Sequence, residues 1–266
     1  MKGMAYEKAG TFSIGDIELS EGNVALIAGP CAVESKEQME AVAKALEKHG
    51  LRLMRGGAYK PRTSPYSFQG LGERGISIMA GACERHGLLS VSEVMSTEDI
   101  GEMGRIDVLQ IGARNMQNFS LLKSAAKSGK PVLLKRGMSA TIKEFMMAAE
   151  YLLSGGAEKV MLCERGIRTF ETETRNTLDI SAIPIIRGKT LLPIIVDPTH
   201  AAGRKDILLD LSKAAVAAGA NGLMVEVHPK PEKALSDQKQ QMDLREFDAY
   251  VRGLKGFCKN LGKKLA

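Results

Sequence analysis

Short apolar runs alternate with longer amphipathic stretches along most of this 266-residue chain. The short runs are rich in β-branched residues and lack the polar alternation of a strand that has one solvated face, so they are candidates for buried strands. Eight such runs follow residue 23, at residues 24–28, 51–54, 88–91, 108–111, 131–134, 159–162, 191–196 and 222–227.

The stretches between these runs repeat apolar residues at helical spacing. The first, residues 35–49, starts with a capping box formed by Ser35 and Gln38 and stops at Gly50. Further helices are predicted over residues 72–86, 97–103, 118–128, 141–153, 176–180 and 205–218, with a final helix from Leu244 to about Cys258. This repeated alternation predicts a parallel (β/α)8 TIM barrel with an extra C-terminal helix. A doubly wound open sheet is the alternative, but no GxGxxG turn follows the first strand.

A short hairpin is predicted before the barrel. Phe12, Ile14 and Ile17 flank a Gly-Asp turn signal, and the hairpin could cap one end of the barrel. We therefore expect residues 1–266 to form a single catalytic barrel domain, with residues 1–22 as an N-terminal hairpin extension, residues 23–258 as the barrel and no separate regulatory domain.

Composition narrows the class of protein. The net charge of +6 suits acidic ligands, but aromatic residues make up only 5% of the chain and Trp is absent, so base-stacking and hence nucleic-acid binding are not expected. The four scattered cysteines fit neither a disulfide framework nor a zinc ribbon, which indicates a reducing cytoplasm. No apolar run approaches the length of a membrane span, and the N-terminus lacks the apolar core of a signal peptide.

Cations cluster where the predicted strands end, which is where a parallel barrel collects its chemistry. The second strand is followed by a stretch with three cations, two aliphatic hydroxyls and two glycines, residues 55–64. Each cation alone could be paired with a carboxylate such as Glu164 or Glu93 and be structural. Six cations at one opening of the barrel would repel one another unless bound anions neutralise them, which favours a phosphate-binding site. They are Arg55, Lys60, Arg62, Arg114, Lys135 and Arg165.

A second set combines a thiol, an imidazole and two carboxylates: Cys31, His200, Glu226 and Asp237. They follow the first, seventh and eighth strands, which are neighbours once a barrel closes. Mixed S, N and O ligands suit a borderline divalent ion, Mn2+, Fe2+, Co2+ or Zn2+. Without the barrel, Cys31 could be a small buried residue, Glu226 a paired core carboxylate and His200 a helix cap.

Taken together, these motifs resemble the 3-deoxy-D-arabino-heptulosonate 7-phosphate (DAHP) synthases, specifically the compact class related to 3-deoxy-octulosonate 8-phosphate synthase. The resemblance runs over residues 25–253 and rests on co-linear motifs at residues 28–31, 60–64, 111–114, 134–137, 164–166, 197–203, 226–229 and 236–237. It implies a metal-dependent aldol-type condensation of phosphoenolpyruvate with D-erythrose 4-phosphate that releases phosphate, the first step of the shikimate pathway to aromatic amino acids.

The resemblance also implies a role for each site residue. Cys31, His200, Glu226 and Asp237 match the ligands of one divalent metal ion. The residues that match the phosphoenolpyruvate site are Arg55, Lys60, Ala113, Arg114, Lys135 and Arg165. The block that receives erythrose 4-phosphate matches Lys60, Pro61, Arg62 and Thr63. Lys60, Cys31 and His200 are the expected catalytic residues, with Lys60 as proton donor and a metal-bound water as its rival.

Three other functions stay open. The octulosonate synthase uses arabinose 5-phosphate, but its block resembles Ala-Asn-Arg-Ser-Ser, whereas this chain has Pro61-Arg62-Thr63-Ser64. A Schiff-base aldolase acting through Lys135 would need no metal. A non-catalytic phosphometabolite sensor is the third. The resemblance further implies a homotetramer, and we expect no feedback inhibition by aromatic amino acids unless a regulatory partner such as a separate chorismate mutase supplies it.

Overall fold

The computed structural model describes residues 4–8, 10–61 and 64–266. A short helix, α1 (Ala5–Lys8), precedes an antiparallel hairpin of β1 (Phe12–Ile14) and β2 (Ile17–Leu19). Eight parallel strands then close into a barrel in which each strand pairs with the next and the last pairs with the first. These strands are β3 (Asn23–Gly29), β4 (Leu53–Arg55), β5 (Leu89–Val94), β6 (Val108–Ile111), β7 (Val132–Lys135), β8 (Val160–Glu164), β9 (Ile194–Val196) and β10 (Gly222–Glu226).

Helices lie between these strands and after the last of them. They are α2 (Lys36–Lys48), α3 (Glu73–His86), α4 (Asp99–Glu102), α5 (Phe119–Ala126), α6 (Ile142–Ser154), α7 (Ala182–Arg187), α8 (Pro198–Ala202), α9 (Leu208–Ala217) and α10 (Leu244–Asn260). A final short strand, β11 (Lys264–Leu265), pairs in parallel with the start of β3. The predicted (β/α)8 barrel, its N-terminal hairpin and its C-terminal helix are confirmed.

The helix predicted over residues 176–180 is wrong, because backbone hydrogen bonds to other loops hold the start of that segment. The N–H of Thr177 donates to the carbonyl of Ile167, and the carbonyl of Thr177 accepts from the N–H of Ile167, each at 2.9 Å. The N–H of Asn176 donates to the carbonyl of Ala201 at 2.8 Å. The helix of this connection begins six residues later, at Ala182.

The capping box at the start of α2 forms only in part. The Ser35 side chain accepts from the N–H of Gln38, as predicted. The Gln38 side chain instead accepts from the N–H of Glu34 at 2.9 Å, so the reciprocal bond to Ser35 is not made by this amide oxygen.

Apolar side chains fill the amino-terminal part of the barrel interior. Ile14, Ile17 and Leu19 of the hairpin are buried against interior residues that include Leu53 and Val108, the first residues of β4 and β6. The hairpin therefore closes this end, and the polar residues at the strand carboxyl ends face the opposite opening. A second, larger apolar cluster lies between the barrel and its helices. Among the described residues, no helix has both the length and the apolar character needed to cross a bilayer.

Candidate active site

A polar cavity of about 300 Å3 opens at the carboxyl ends of the barrel strands. Every residue predicted to bind phosphoenolpyruvate lines it: Arg55, Lys60, Ala113, Arg114, Lys135 and Arg165. Pro61 of the predicted erythrose 4-phosphate block also lines it, as do His200 and Asp237 of the predicted metal set. Arg62 and Thr63, the other two residues of that block, lie outside the described residues.

Two buried arginines present donors with no partner in the protein. Among the described residues, only Nε of Arg55 and Nη1 of Arg165 are buried side-chain polar atoms that make no hydrogen bond. Burial lowers the pKa of Arg165, because charge is costly where water is excluded. Unsatisfied buried donors are rare in folded proteins. Because Arg55 and Arg165 line the cavity, an anionic ligand bound there could accept from them.

Two cations of the cavity are ion-paired with buried carboxylates of the barrel. Nζ of Lys135 lies 2.5 Å from Oδ2 of Asp197, and both side chains are almost completely buried. Nη1 of Arg55 lies 3.0 Å from Oε1 of Glu226. Arg114, in contrast, is exposed at the rim. Carboxylates therefore fix Lys135 and one nitrogen of Arg55, while Arg114 at the rim is free to turn toward a ligand.

Arg136, next to Lys135 in sequence, faces away from the cavity. Its Nη1 lies 2.8 Å from both Glu164 and Asp179, and its Nε donates to the carbonyl of Ala140. The sequence left open whether Glu164 pairs with one of the predicted ligand-binding cations. In the structure Glu164 forms its ion pair with Arg136, and Lys135 pairs with Asp197 instead.

Glycines allow the backbone to approach the site closely. A Cβ atom at Gly29 would lie 2.0 Å from the carbonyl oxygen of Arg55, so this residue lets the ends of β3 and β4 come together. A Cβ atom at Gly112 would lie 1.9 Å from Oε1 of Glu93, a carboxylate that also lines the cavity. The backbone at Ala113 can therefore run along the cavity wall.

Three of the four predicted metal ligands lie together. One ligand atom each from Cys31, Glu226 and Asp237 lies within 4.8 Å of the other two. His200 lies at the edge of this cluster, with its Nε2 3.5 Å from Oε1 of Glu226 and 4.0 Å from Oδ2 of Asp237. Strands β3 and β10, which are adjacent in the closed barrel, bring Cys31 and Glu226 together.

Asp197 sets the orientation of the His200 ring. Burial favours the protonated form of this carboxyl, but His200 and Lys135 outweigh it and hold the pKa of Asp197 well below its usual value. An ionised carboxylate only accepts, so Nδ1 of His200 donates to Oδ2 at 2.7 Å. Burial lowers the pKa of His200, although Asp197 acts in the opposite direction. The lowered pKa favours a neutral ring. Its Nε2 lone pair then faces the carboxylate cluster, as in many histidine–metal sites.

The donor set fits a borderline divalent ion. Burial, with a smaller effect of Glu226, raises the pKa of the Cys31 thiol to about 12. The thiol is thus protonated until a cation replaces the proton, and binding should release it. Nζ of Lys60 lies 3.1 Å from this sulfur and 2.9 Å from the Cys31 carbonyl oxygen. This places the predicted proton donor beside the candidate metal centre.

Some residues around the site were missed at the sequence level. Gln240 donates to the carboxylates of Glu226 and Asp237, and Arg175, which lines the cavity, donates to Gln240. The side-chain amide of Gln241 accepts from the N–H of Cys31 at 3.0 Å. Both glutamines follow Asp237 closely, so the only available signal was their proximity to a predicted ligand.

Comparison with known proteins places most of the chain in one family. Residues 8–260 match the model of the DAHP synthetase I family. A phospho-2-dehydro-3-deoxyheptonate aldolase of Thermotoga maritima is 52% identical over 253 residues, which cover 95% of this chain and 75% of the relative. A 2-dehydro-3-deoxyphosphooctonate aldolase of Desulfotalea psychrophila is 32% identical over 259 residues, covering 90% of this chain and 91% of the relative.

Solved structures agree with these matches. The crystal structure of the Thermotoga maritima DAHP synthase superposes with a TM-score of 0.94 at 50% identity, covering 97% of this chain and 76% of that one. A truncated form of the Thermotoga maritima enzyme gives a TM-score of 0.91 at 46% identity and covers 97% of this chain and 95% of that one. The extent of these matches, together with the family model, shows that the chain belongs to the DAHP synthetase I family.

Proposed function

We propose that this protein is a DAHP synthase, which condenses phosphoenolpyruvate with D-erythrose 4-phosphate and water to give DAHP and inorganic phosphate. The observation that carries this proposal is the match to a relative of that name at 52% identity over 95% of the chain. The cavity supports it independently, since it offers two unsatisfied guanidinium donors to an anion. In a cell this reaction begins the shikimate pathway to aromatic amino acids.

Phosphoenolpyruvate carries a carboxylate and a phosphate, and the deep cations would hold both. Arg165 and Arg55 supply the unsatisfied buried donors, and Lys135 adds a third positive charge held by Asp197. The Ala113 backbone and Arg114 would close over the phosphate from the rim. Bound in this way, the enol phosphate is fixed with C3 turned toward the second substrate, and the loss of motion lowers the barrier to reaction.

Erythrose 4-phosphate would enter from the rim, and its proposed binding block is Lys60, Pro61, Arg62 and Thr63. Arg62 and Thr63 would bind its phosphate, leaving the aldehyde to face C3 of phosphoenolpyruvate. Lys60 is the proposed proton donor to the oxygen that becomes a hydroxyl group when the new C–C bond forms. Water then adds at C2, and phosphate leaves by cleavage of the C2–O bond.

Cys31, His200, Glu226 and Asp237 would hold one divalent ion, Mn2+, Fe2+, Co2+ or Zn2+. When bound, the ion supplies Lewis-acid polarisation of an oxygen. The protein's own contribution is to fix the ligands. Asp197 orients His200, Arg55 contacts Glu226, and Lys60 contacts Cys31.

Two rival reactions fit less well. The octulosonate aldolases match at 32% identity, well below the 52% of the DAHP synthase relative. A Schiff-base aldolase would need a free amine at Lys135, but Nζ of Lys135 is ion-paired with Asp197 at 2.5 Å. An amine held in a buried ion pair is a poor nucleophile.

The deciding experiment measures phosphate release when the protein is mixed with phosphoenolpyruvate and erythrose 4-phosphate. We expect release that stops after chelation and returns when Mn2+ or Zn2+ is added. Faster release with arabinose 5-phosphate would identify an octulosonate synthase instead. Activity that survives chelation, with substrate trapped on Lys135 by borohydride, would identify a Schiff-base aldolase. No turnover of either aldose under any metal would reject catalysis and favour a sensor.

We further propose a cytoplasmic homotetramer. All four cysteines are free thiols, which suits a reducing compartment, and the tetramer rests on family resemblance. We expect phenylalanine and tyrosine to leave the isolated chain uninhibited, with a separate chorismate mutase as a candidate regulatory partner. Light scattering tests the assembly, and an order-of-magnitude loss of activity with either amino acid would contradict the second expectation.

A further inference from the structure

Gln240 lies between the two carboxylates of the candidate metal centre. Its side chain is buried, and its Nε2 donates to Oε2 of Glu226 at 2.7 Å and to Oδ2 of Asp237 at 3.3 Å. Oε1 of Glu226, the oxygen not taken by the amide, faces His200 at 3.5 Å. On Asp237, in contrast, Oδ2 accepts from the amide and also lies 3.3 Å from Sγ of Cys31 and 4.0 Å from Nε2 of His200. The amide thus contacts both carboxylates at the edge of the metal site.

Arg175 determines which way the amide points. Nη1 of Arg175 donates to Oε1 of Gln240 at 3.2 Å. A guanidinium only donates, so the amide oxygen must face it, and the NH2 group is left facing the two carboxylates. The same Nη1 lies 3.6 Å from Oδ2 of Asp237. Arg175 belongs to the β8–α7 connection, so this contact joins that loop to the metal centre.

Asp237 needs such support because its backbone is strained. It has a φ of 49°, and it is the only non-glycine residue with positive φ in the part of the chain that the structure describes. The N–H of Gln240 also donates to the Asp237 carbonyl at 3.3 Å. Glu226 and Asp237 repel each other, and a neutral donor placed between them offsets that repulsion without taking the place of a cation.

We propose that Gln240 is a positioning residue that holds the carboxylates of Glu226 and Asp237 at the separation required by a divalent ion, with Arg175 fixing the orientation of its amide. The inference rests on the metal site of the proposed function. It assigns Gln240 and Arg175 a role that acts through the metal ligands, and it predicts that metal affinity depends on a neutral amide. Removing a residue that orients metal ligands in this way typically costs about 10- to 100-fold in affinity.

The test is Co2+ titration of the metal-free, full-length protein carrying Gln240→Met, which keeps the length of the side chain and removes its hydrogen bonds. We expect Co2+ affinity, measured against a competing chelator, to fall by about 10- to 100-fold. The absorption band of Cys31 thiolate bound to Co2+ should also shift, because two of its fellow ligands have moved. A side chain that only fills space would change neither readout.

Gln238→Met is the matched control, since Gln238 lies in the same loop and its side-chain amide donates to the Ala234 carbonyl rather than to a metal ligand. It should bind Co2+ as the wild type does. Arg175→Met provides a second variant if Gln240→Met fails to fold, because the Arg175 side chain is 39% exposed. It should weaken Co2+ binding by about tenfold, the lower end of the same range.

The outcomes separate the inference from the proposed function. If the wild type binds Co2+ and both Gln240→Met and Arg175→Met bind it with unchanged affinity and spectrum, the inference is overturned and the metal site stands. If the wild type binds no Co2+, the proposed metal site fails and the inference falls with it.

Discussion

Replacing Arg136 with methionine should destabilise the barrel without affecting the binding of phosphoenolpyruvate. Arg136 lies at the end of β7 and neutralises two carboxylates, Glu164 and Asp179, each 2.8 Å from its Nη1. Glu164 is completely buried, and in the variant its carboxylate would still accept from the N–H of Gly166 at 2.7 Å, which carries no full charge. The variant therefore leaves a negative charge in the barrel without a counterion.

The size of the effect follows from this burial. Removing one partner of a buried ion pair costs about 3–5 kcal/mol, mostly because the other charge stays unpaired. Asp179 is partly exposed and can be solvated, so we expect the lower end of that range. For a chain of this size, the melting temperature should then fall by roughly 6–12 °C.

The assay is thermal unfolding followed by circular dichroism at neutral pH, with a double-mutant cycle. Glu164→Gln removes the charge that Arg136 neutralises while keeping the shape of the side chain. In the double variant most of the stability should return, giving a coupling free energy of about 1–3 kcal/mol between the two positions. Lys135→Met, one residue earlier, is the functional control because Lys135 lines the cavity and Arg136 does not.

Kinetics complete the comparison. Lys135→Met should raise KM for phosphoenolpyruvate about tenfold or more, as expected for losing a hydrogen bond to a charged group, whereas Arg136→Met should leave this KM unchanged. Two results would refute the reasoning. One is a melting temperature for Arg136→Met within about 2 °C of the wild type, which would mean that the buried pair adds little stability. The other is a rise in KM equal to that of Lys135→Met, which would mean that Arg136 reaches the substrate.

Three further predictions concern other parts of the molecule. Gly29→Ala should cost about 3 kcal/mol or more and yield little folded protein, because its Cβ would lie 2.0 Å from the Arg55 carbonyl oxygen; an unchanged melting temperature would contradict the packing described here. Glu40 and Glu47 hold the pKa of His86 above its usual value, so its stabilising contribution is complete below about pH 6.5 and is lost as pH rises through the raised pKa. The difference in melting temperature between wild type and His86→Gln should therefore shrink as pH rises from about 5.5 to about 8.5, the range in which this histidine loses its proton. A difference that stays constant over this range would argue against the effect. Arg62→Ala should raise KM for erythrose 4-phosphate by about 10- to 100-fold and leave that for phosphoenolpyruvate unchanged; the reverse pattern would show that the division between the two substrates is wrong.

The barrel was predictable because its strands are buried on both faces. Such strands appear in the sequence as continuous apolar runs, and the run at residues 108–111 matches β6 at both ends. Strand starts were less accurate where apolar residues belong to the preceding turn. Leu51, for example, donates its N–H to the carbonyl of Leu46 at the end of α2, and Leu191 is 66% exposed before β9 begins at Ile194.

The candidate site was predictable to the extent that it lies at the ends of strands. A closed parallel barrel brings these ends together, so Cys31, Lys135 and Glu226 could be grouped before their distances were known. Their partners were not predictable, because the choice depends on the path of the loops. Asp197 is 62 positions from Lys135, and only the folded chain shows that it accepts from both Lys135 and His200.

The hairpin at the amino-terminal end of the barrel also affects how ligands arrive. Ile14, Ile17 and Leu19 make that end apolar, and the interior above them is apolar as far as the cations. Such walls polarise weakly, so the electric field of the cavity emerges mainly through its open mouth. Both proposed substrates are anions and would be drawn along this single direction. Their association rates should therefore fall as ionic strength increases, since dissolved salt screens the field outside the mouth before it screens the ion pairs within.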